Sequence, residues 1–208
     1  MLKRVKIQGY KSLVDVEVNL QPLSVLFGPN ASGKSNFLDA LQLLSRIATS
    51  NNLNDAFNPP YRGKPLESFT FGSTGIQGLL AKFTASFSIE VDVELSQTVI
   101  DTVNSRIQKM EGTKKAFLRE KYLRYRIEIE THPKTGRLRV ADEYLAALNA
   151  KGEITNQQPY IERIDDDRLH LRPEGQASPS NYDTQIDYSI LSLSHYPPHY
   201  PYLGLVKK

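Results

Sequence analysis

The sequence has no cysteine and no tryptophan, and it holds only two methionines in 208 residues. Without cysteine the chain forms neither disulfides nor a thiolate metal site. No apolar run approaches the roughly 18 residues that span a bilayer. The opening residues, Met1 to Lys6, lack the apolar core of a signal peptide. We therefore expect no membrane association and no chemistry that depends on thiols.

The net charge and the four histidines also do not define a function. The formal net charge is +3 and the isoelectric point about 8.9, which is too mildly basic to indicate nucleic acid by itself. His195 and His199 have a metal-like spacing, but Pro197 and Pro198 between them prevent a regular helix. Neither a histidine metal site nor a serine–histidine–aspartate triad is predicted. The 39% hydrophobic content is ordinary for a globular protein with a core.

One motif stands out, the phosphate-binding pattern G-x-x-x-x-G-K-[ST]. It consists of Gly28, Pro29, Asn30, Ala31, Ser32, Gly33, Lys34 and Ser35. An apolar run from Leu23 to Phe27 precedes it and predicts a central strand that is covered on both faces. A helix is predicted from Ser35 to Ile47. Its expected apolar stripe consists of Phe37, Leu38, Leu41, Leu44 and Ile47. Strand, loop and helix in this order are the context that the motif requires.

The chemistry of the loop follows from its residue types. The glycines let the backbone curl, so the N–H groups of residues 30–35 point into one anion-sized cavity, and the helix N-terminus adds partial positive charge. Lys34 is expected to reach the β- and γ-phosphates, and the Ser35 hydroxyl to bind Mg²⁺. The chain is therefore predicted to bind a nucleoside triphosphate, with ATP and Mg²⁺ as its ligands, in the cytoplasm where ATP is found. Asp39, on the same helix, is interpreted as a solvated residue.

The remaining chain predicts an α/β (α+β) fold. Residues 1–50 hold three strands, the phosphate loop and the first helix, and residues 51–78 are an irregular loop. Residues 79–175 alternate polar and apolar side chains over several segments, which predicts an antiparallel β-lobe with an inserted helix at 97–110. Residues 176–208 are a tail with a short helix from Thr184 to His195.

The first 47 residues resemble the N-terminus of an SMC-like or ABC-type ATPase head. The residues that carry this likeness are Ile7-Gln8-Gly9-Tyr10-Lys11-Ser12-Leu13 and the loop through Asn36-Phe37-Leu38-Asp39-Ala40-Leu41. Within that class the chain is similar to bacterial AAA-family ATPases related to recombination, repair and anti-phage systems. The resemblance implies a P-loop NTPase lobe with an antiparallel β-meander. It also implies that Asn36 and Lys11 take part in nucleotide binding.

Other parts of the family pattern are missing from the sequence. No strand ends in four aliphatics, Asp and Glu as a Walker B strand does, and there is no glycine-containing signature motif. We therefore expect these 208 residues to be the N-terminal portion of a longer ATPase, an incomplete head domain left by cleavage or by a split gene. No catalytic residue is identifiable in them. The alternatives are a nucleotide-binding regulatory module that does not hydrolyse, or a small-molecule kinase.

The resemblance further implies an ATP-dependent head dimer and a nucleic-acid or nuclease partner. A basic strip is the candidate surface for nucleic acid, because alternation places arginines on one face of two hairpin strands. These residues are Arg124, Arg126, Arg137 and Arg139. The competing interpretation is a solvated face on which Glu128 and Glu130 pair with the arginines.

Overall fold

The computed structural model describes residues 1–111, 120–155, 158–165, 168–172, 180–183 and 187–193. It contains an eight-stranded sheet in the order β2-β1-β3-β4-β5-β6-β7-β8, in which every neighbouring pair is antiparallel. The strands are β1 (Leu2–Tyr10), β2 (Leu13–Asn19), β3 (Ala85–Glu94), β4 (Tyr122–His132), β5 (Arg137–Leu148), β6 (Ile161–Asp165), β7 (Arg168–Leu171) and β8 (Ser180–Asp183). The helices are α1 (Lys34–Ile47), α2 (Leu53–Ala56), α3 (Gly75–Leu80) and α4 (Gln97–Glu111), with 3-10 turns at Pro65–Ser68 and Ile190–Ser192.

The antiparallel meander predicted from alternation is confirmed. β3 and β4 pair in register, with Ile89 opposite Ile127 and Val91 opposite Tyr125. These apolar residues are buried, and their polar neighbours other than Asp92 are half-buried, as expected where one face of a sheet packs on a core. β1 and β2 extend this same sheet, so the first two strands belong to the β-lobe.

The core lies on the face of the sheet that α1 and α2 cover. The side chains of α1 that enter it are Phe37, Ala40, Leu43 and Ile47. The predicted apolar stripe was therefore partly wrong, because Leu38 is 57% exposed. Ala40 is fully buried, and its small side chain lets the helix approach the sheet closely.

The predicted strand from Leu23 to Phe27 is wrong in this structure. The segment forms no strand and pairs with no described strand. Leu23, Val25 and Phe27 are 84%, 73% and 90% exposed. A central strand needs hydrogen-bonded neighbours at both edges and apolar cover on both faces, and the described residues offer this segment neither.

Two further predictions need correction. The stretch 51–78 is not wholly irregular, since it includes α2, the 3-10 turn Pro65–Ser68 and part of α3. Its glycines and prolines limit these elements to one or two turns. The expected helix from Thr184 to His195 is only the 3-10 turn Ile190–Ser192 within the described residues, and β8 lies in the predicted tail. Residues 184–186 and 194–208 lie outside the described residues.

Candidate nucleotide-binding site

The phosphate loop connects the end of the β1–β2 hairpin to the N-terminus of α1. Its backbone takes positive φ at Gly28 (145°), Ala31 (65°) and Gly33 (92°). At Gly33 a Cβ atom would lie 3.0 Å from Leu13 Cδ2 and 3.3 Å from Ser12 Oγ. Glycine is therefore required there both by the left-handed backbone and by the close approach of the β1–β2 turn.

The ammonium of Lys34 folds back over this loop. Its Nζ donates to the carbonyl oxygens of Gly28 and Pro29, at 2.8 and 2.7 Å, and to Ser32 Oγ at 3.3 Å. The ammonium of Lys34 is thus bound by uncharged loop atoms. The negatively charged phosphate of a ligand can take their place and form a stronger, charge-assisted contact. Ser35 is exposed beside it, and the first turn of α1 has no acidic side chain to oppose an anion.

Lys11, predicted to contact the nucleotide, is held at one side of the loop. Its Nζ donates to Asp39 Oδ2 at 2.8 Å and to the Arg62 carbonyl at 3.0 Å. It also lies 5.4 and 5.0 Å from the ring centroids of Tyr10 and Tyr61. Through Asp39, Lys11 thus links the β1–β2 turn to α1. Its role as a nucleotide contact stays a prediction.

Asp39 is not the solvated residue that its sequence position indicates. Its side chain is 15% exposed and accepts hydrogen bonds from both Lys11 and Arg62. Burial alone would raise the pKa of Asp39, but the hydrogen bonds from Lys11 and Arg62 outweigh it and hold the pKa below its ordinary value. One carboxylate thus faces two cations, which leaves a net positive charge beside the loop.

Arg62 is a site residue that the sequence did not reveal. Its guanidinium donates to Asp39 Oδ2 at 2.6 Å and to Asn36 Oδ1 at 3.1 Å, while its side chain is 60% exposed. The Asn36 amide in turn donates to Ser12 Oγ at 2.7 Å. Arg62 lies in a Pro/Gly-rich stretch without periodicity, so no local signal placed it near the loop.

The predicted basic strip is largely compensated. Arg124 makes a two-pronged contact with Asp92, at 2.7 and 2.8 Å. Arg126 pairs with Asp142, and Arg139 Nε lies 2.7 Å from Glu130 Oε1. The strip is therefore mostly a charge-paired sheet face, and Arg137 is the member that forms no ion pair with the described acids.

A cavity of about 350 Å³ opens at the other end of the sheet from the loop. Lys3, Arg4, Arg124 and Lys151 contribute to its wall. Arg4 and Arg124 both bind Asp92, and Lys3 pairs with Glu94. The charges of Lys3, Arg4 and Arg124 are thus already paired with acids of the sheet.

Neither a metal-binding cluster nor a membrane-spanning helix is found among the residues that the structure describes. Within the described ranges, no group of three or more histidine, aspartate or glutamate side chains is placed to hold a metal ion. Among the helices that the structure describes, none has both the length and the apolarity needed to cross a bilayer.

Several known proteins are similar to part of this chain. The Chromosome partition protein Smc of Desulfitobacterium hafniense is 38% identical over 78 residues, which are 36% of this chain and 6% of that protein. The DNA replication and repair protein RecF of Bacteroides fragilis is 42% identical over 59 residues, 28% of this chain and 16% of RecF. The OLD nuclease of Thermus scotoductus is 39% identical over 44 residues, 21% of this chain and 8% of the nuclease. The matched segment thus spans less than a fifth of each relative.

A solved structure of an SMC ATPase, from work on ATP-driven dimerisation and DNA-stimulated activation, covers 74% of this chain and 72% of its own. Its TM-score is 0.40 at 16% identity, which is too distant a likeness to carry an argument. The decisive match is to a family of nucleotide-binding ATPases, whose profile covers residues 1–191 of the 208. The chain belongs to the AAA ATPase domain family.

Proposed function

We propose that this chain is the ATP-binding portion of an SMC/ABC-like ATPase. It binds Mg-ATP through residues 28–35 and hydrolyses it only together with a Walker B strand and a signature motif from outside these 208 residues. Its setting is the cytoplasm, in nucleic-acid maintenance or phage defence, and ATP binding drives the pairing of two heads. The relatives' names, which refer to chromosome partition, DNA repair and a nuclease, support this setting.

The observation that carries the proposal is the conformation of the phosphate loop. Positive φ angles at Gly28, Ala31 and Gly33 curl the backbone ahead of α1, and Lys34 Nζ is bound by uncharged loop oxygens. Curled backbone N–H groups, a helix N-terminus and one ammonium together form a site for polyphosphate.

The residues present also fit Mg²⁺. Mg²⁺ takes few protein ligands and completes its shell with water and phosphate oxygens, so one exposed hydroxyl, that of Ser35, suits it. When bound, the ion would offset negative charge on the β- and γ-phosphates. Lys34 supplies the protein's own positive charge next to it, and the Asp39–Arg62 pair holds a further cation at the edge of the site.

The exposed segment before the loop supports the need for a second half. Leu23, Val25 and Phe27 are mostly exposed, although their sequence is that of a strand buried on both faces. Burying three such side chains is worth roughly 1.5–3 kcal/mol each. We propose that strands of the missing half pair with residues 23–27 and bring the catalytic acid next to the loop.

This proposal predicts that the purified chain binds Mg-ATP but does not turn it over. Phosphate release from wild-type protein is expected to equal that of Lys34→Ala, because no Walker B acid is present to activate water. Binding is measured on the same preparation, so that an inactive sample is recognised. Turnover that disappears in Lys34→Ala would show that the catalytic acid lies within these residues.

A second candidate is a regulatory nucleotide-binding module without hydrolysis, favoured by the absence of a Walker B sequence in the chain. The two candidates differ when the remainder of the protein is present. A complete head regains ATP turnover, whereas a regulatory module binds ATP and stays inactive.

A further inference from the structure

We infer that one end of the sheet, formed by Lys82, Phe83, His132, Lys134 and Arg137, binds single-stranded nucleic acid by stacking a base on Phe83. These residues are called the aromatic–basic tip below. The inference rests on the proposed function only in its choice of nucleic acid as the partner.

Phe83 is the centre of the tip because its large apolar ring is 85% exposed just before β3. Its one aromatic neighbour among the described residues is His132, edge-to-face with ring centroids 5.3 Å apart. His132 Nδ1 lies 3.3 Å from the Phe83 carbonyl oxygen. This contact fixes the position of the ring while most of its surface stays open to solvent.

Three cations lie next to Phe83 or His132 in the chain or in the sheet. Lys82 precedes it in the chain, Arg137 lies opposite His132 across the β4–β5 pair, and Lys134 is in the turn of that hairpin. All three side chains are exposed, and none forms an ion pair with the acids of the described residues. Side chains directly opposite in an antiparallel pair are about 5 Å apart at Cβ, so Arg137 lies beside His132, the residue that contacts the ring.

The tip is free of acids, unlike the rest of this sheet. The sequence has no aspartate or glutamate between Glu67 and Glu90, and none between Glu130 and Asp142. On the neighbouring sheet face Arg124, Arg126 and Arg139 each have an acidic partner. Among the acids that the structure describes, none pairs with the cations of the tip, and this positive charge favours a polyanion.

Ring and cations together favour single strands over the alternatives. A protein partner generally buries a larger apolar area and selects against lysine at the centre of its interface, whereas the tip offers one ring flanked by two lysines. A duplex presents phosphates but no free base face. Single strands present both, and base stacking on an exposed aromatic ring is a sequence-tolerant contribution to their binding.

The tip lies at the same end of the sheet as the phosphate loop. β1 ends at Tyr10, next to the turn that contacts Asn36, and β4 ends at His132 two strands away in the sheet. The geometry thus places the two surfaces on one side of the molecule without any shared residue, so each can be changed separately.

The test measures fluorescence anisotropy of labelled oligo(dT), oligo(rU) and a DNA duplex with the whole chain at several salt concentrations. Phe83→Leu should weaken single-strand binding about tenfold, while Phe83→Tyr, which keeps the ring, should retain wild-type affinity. The double variant Lys82→Ala/Lys134→Ala should flatten the slope of log K against log salt by about 1.4. The matched control Lys109→Ala/Lys151→Ala, which removes two exposed cations elsewhere, should leave the slope unchanged.

Three outcomes would overturn the inference: no binding of either single strand at low salt, equal affinity for the duplex, or wild-type affinity in Phe83→Leu. The first would leave the tip as a candidate protein contact, and the second would remove the role of the ring. Binding of a fluorescent ATP analogue is followed in the same samples. If the wild-type chain does not bind the ATP analogue, the proposed function is contradicted, whatever the oligonucleotide result.

Discussion

Replacing Lys34 with alanine is expected to weaken Mg-ATP binding about a hundredfold while leaving the fold intact. Within the described part of the chain its ammonium donates to loop atoms, the carbonyl oxygens of Gly28 and Pro29 and the Ser32 hydroxyl, so the substitution removes no core packing. Two charge-assisted contacts to phosphate are worth about 3 kcal/mol together, or about a hundredfold in Kd. Isothermal calorimetry measures the affinity, and thermal unfolding reports the fold.

The control for this experiment is Lys109→Ala, which removes an exposed lysine of α4 and should bind ATP like wild type. Ser35→Ala should act differently from Lys34→Ala, reducing the gain in affinity that Mg²⁺ confers but leaving metal-free binding in place. Wild-type affinity for Mg-ATP in Lys34→Ala would rule out residues 28–35 as the triphosphate site.

The parts of this molecule that sequence predicts well are those set by local rules. The loop motif predicts glycine at positions 28 and 33, and both residues have the positive φ that favours glycine. The inserted helix was predicted at 97–110, and α4 spans Gln97–Glu111 in the structure. Strict alternation likewise identified β3 and β4, since a one-residue slip would expose their apolar side chains.

The predictions that failed depended on partners far away in sequence. An apolar run such as residues 23–27 does not itself reveal whether other strands lie beside it, and here it is exposed. The contacts among Lys11, Asp39 and Arg62 join three separate segments, so the sequence did not predict that these residues pair with one another. The pairing of Arg126 with Asp142 depends on strand register, which alternation within one strand does not determine.

A β-bulge places Glu143, the most buried acidic side chain among the described residues, in the core. Between β4 and β5, Glu128 lies opposite Asp142 and Ile129 opposite Val140, so Ala141 is an extra residue. An extra residue reverses which side chains face the core from that point on. Glu143, which regular alternation from Val140 would turn outward, is therefore fully buried.

The Glu143 carboxylate anchors a distant segment to the core face of the sheet. Its Oε1 accepts hydrogen bonds from Tyr125 Oη at 2.8 Å and Ser189 Oγ at 2.7 Å, and its Oε2 accepts one from the Ile190 backbone N at 2.8 Å. The Leu191 backbone N also approaches Oε1. The start of the 3-10 turn Ile190–Ser192 thus depends on one side chain of β5.

Glu143→Ala is therefore expected to lower the free energy of unfolding by about 4 kcal/mol, because it leaves buried donors of Tyr125, Ser189 and Ile190 without an acceptor. Urea denaturation measures the change. Asp15→Ala, which removes an exposed acid of β2, is the control and should change it by less than about 0.5 kcal/mol. A loss in Glu143→Ala no larger than that of the control would mean that the carboxylate does not hold the segment.

The charge state of Glu143 adds a pH dependence of defined sign. Burial raises the pKa of this carboxyl, and the hydrogen bonds it accepts only partly oppose that effect. Because the folded protein then holds this proton to higher pH than the unfolded chain, its contribution to stability is complete below the ordinary glutamate pKa of about 4.3. It decreases as pH rises through the raised pKa. Glu143→Gln has no proton to lose at this position, so the difference in unfolding free energy between wild type and Glu143→Gln should shrink or change sign as pH rises from 4 to 7, and a constant difference would contradict a raised pKa.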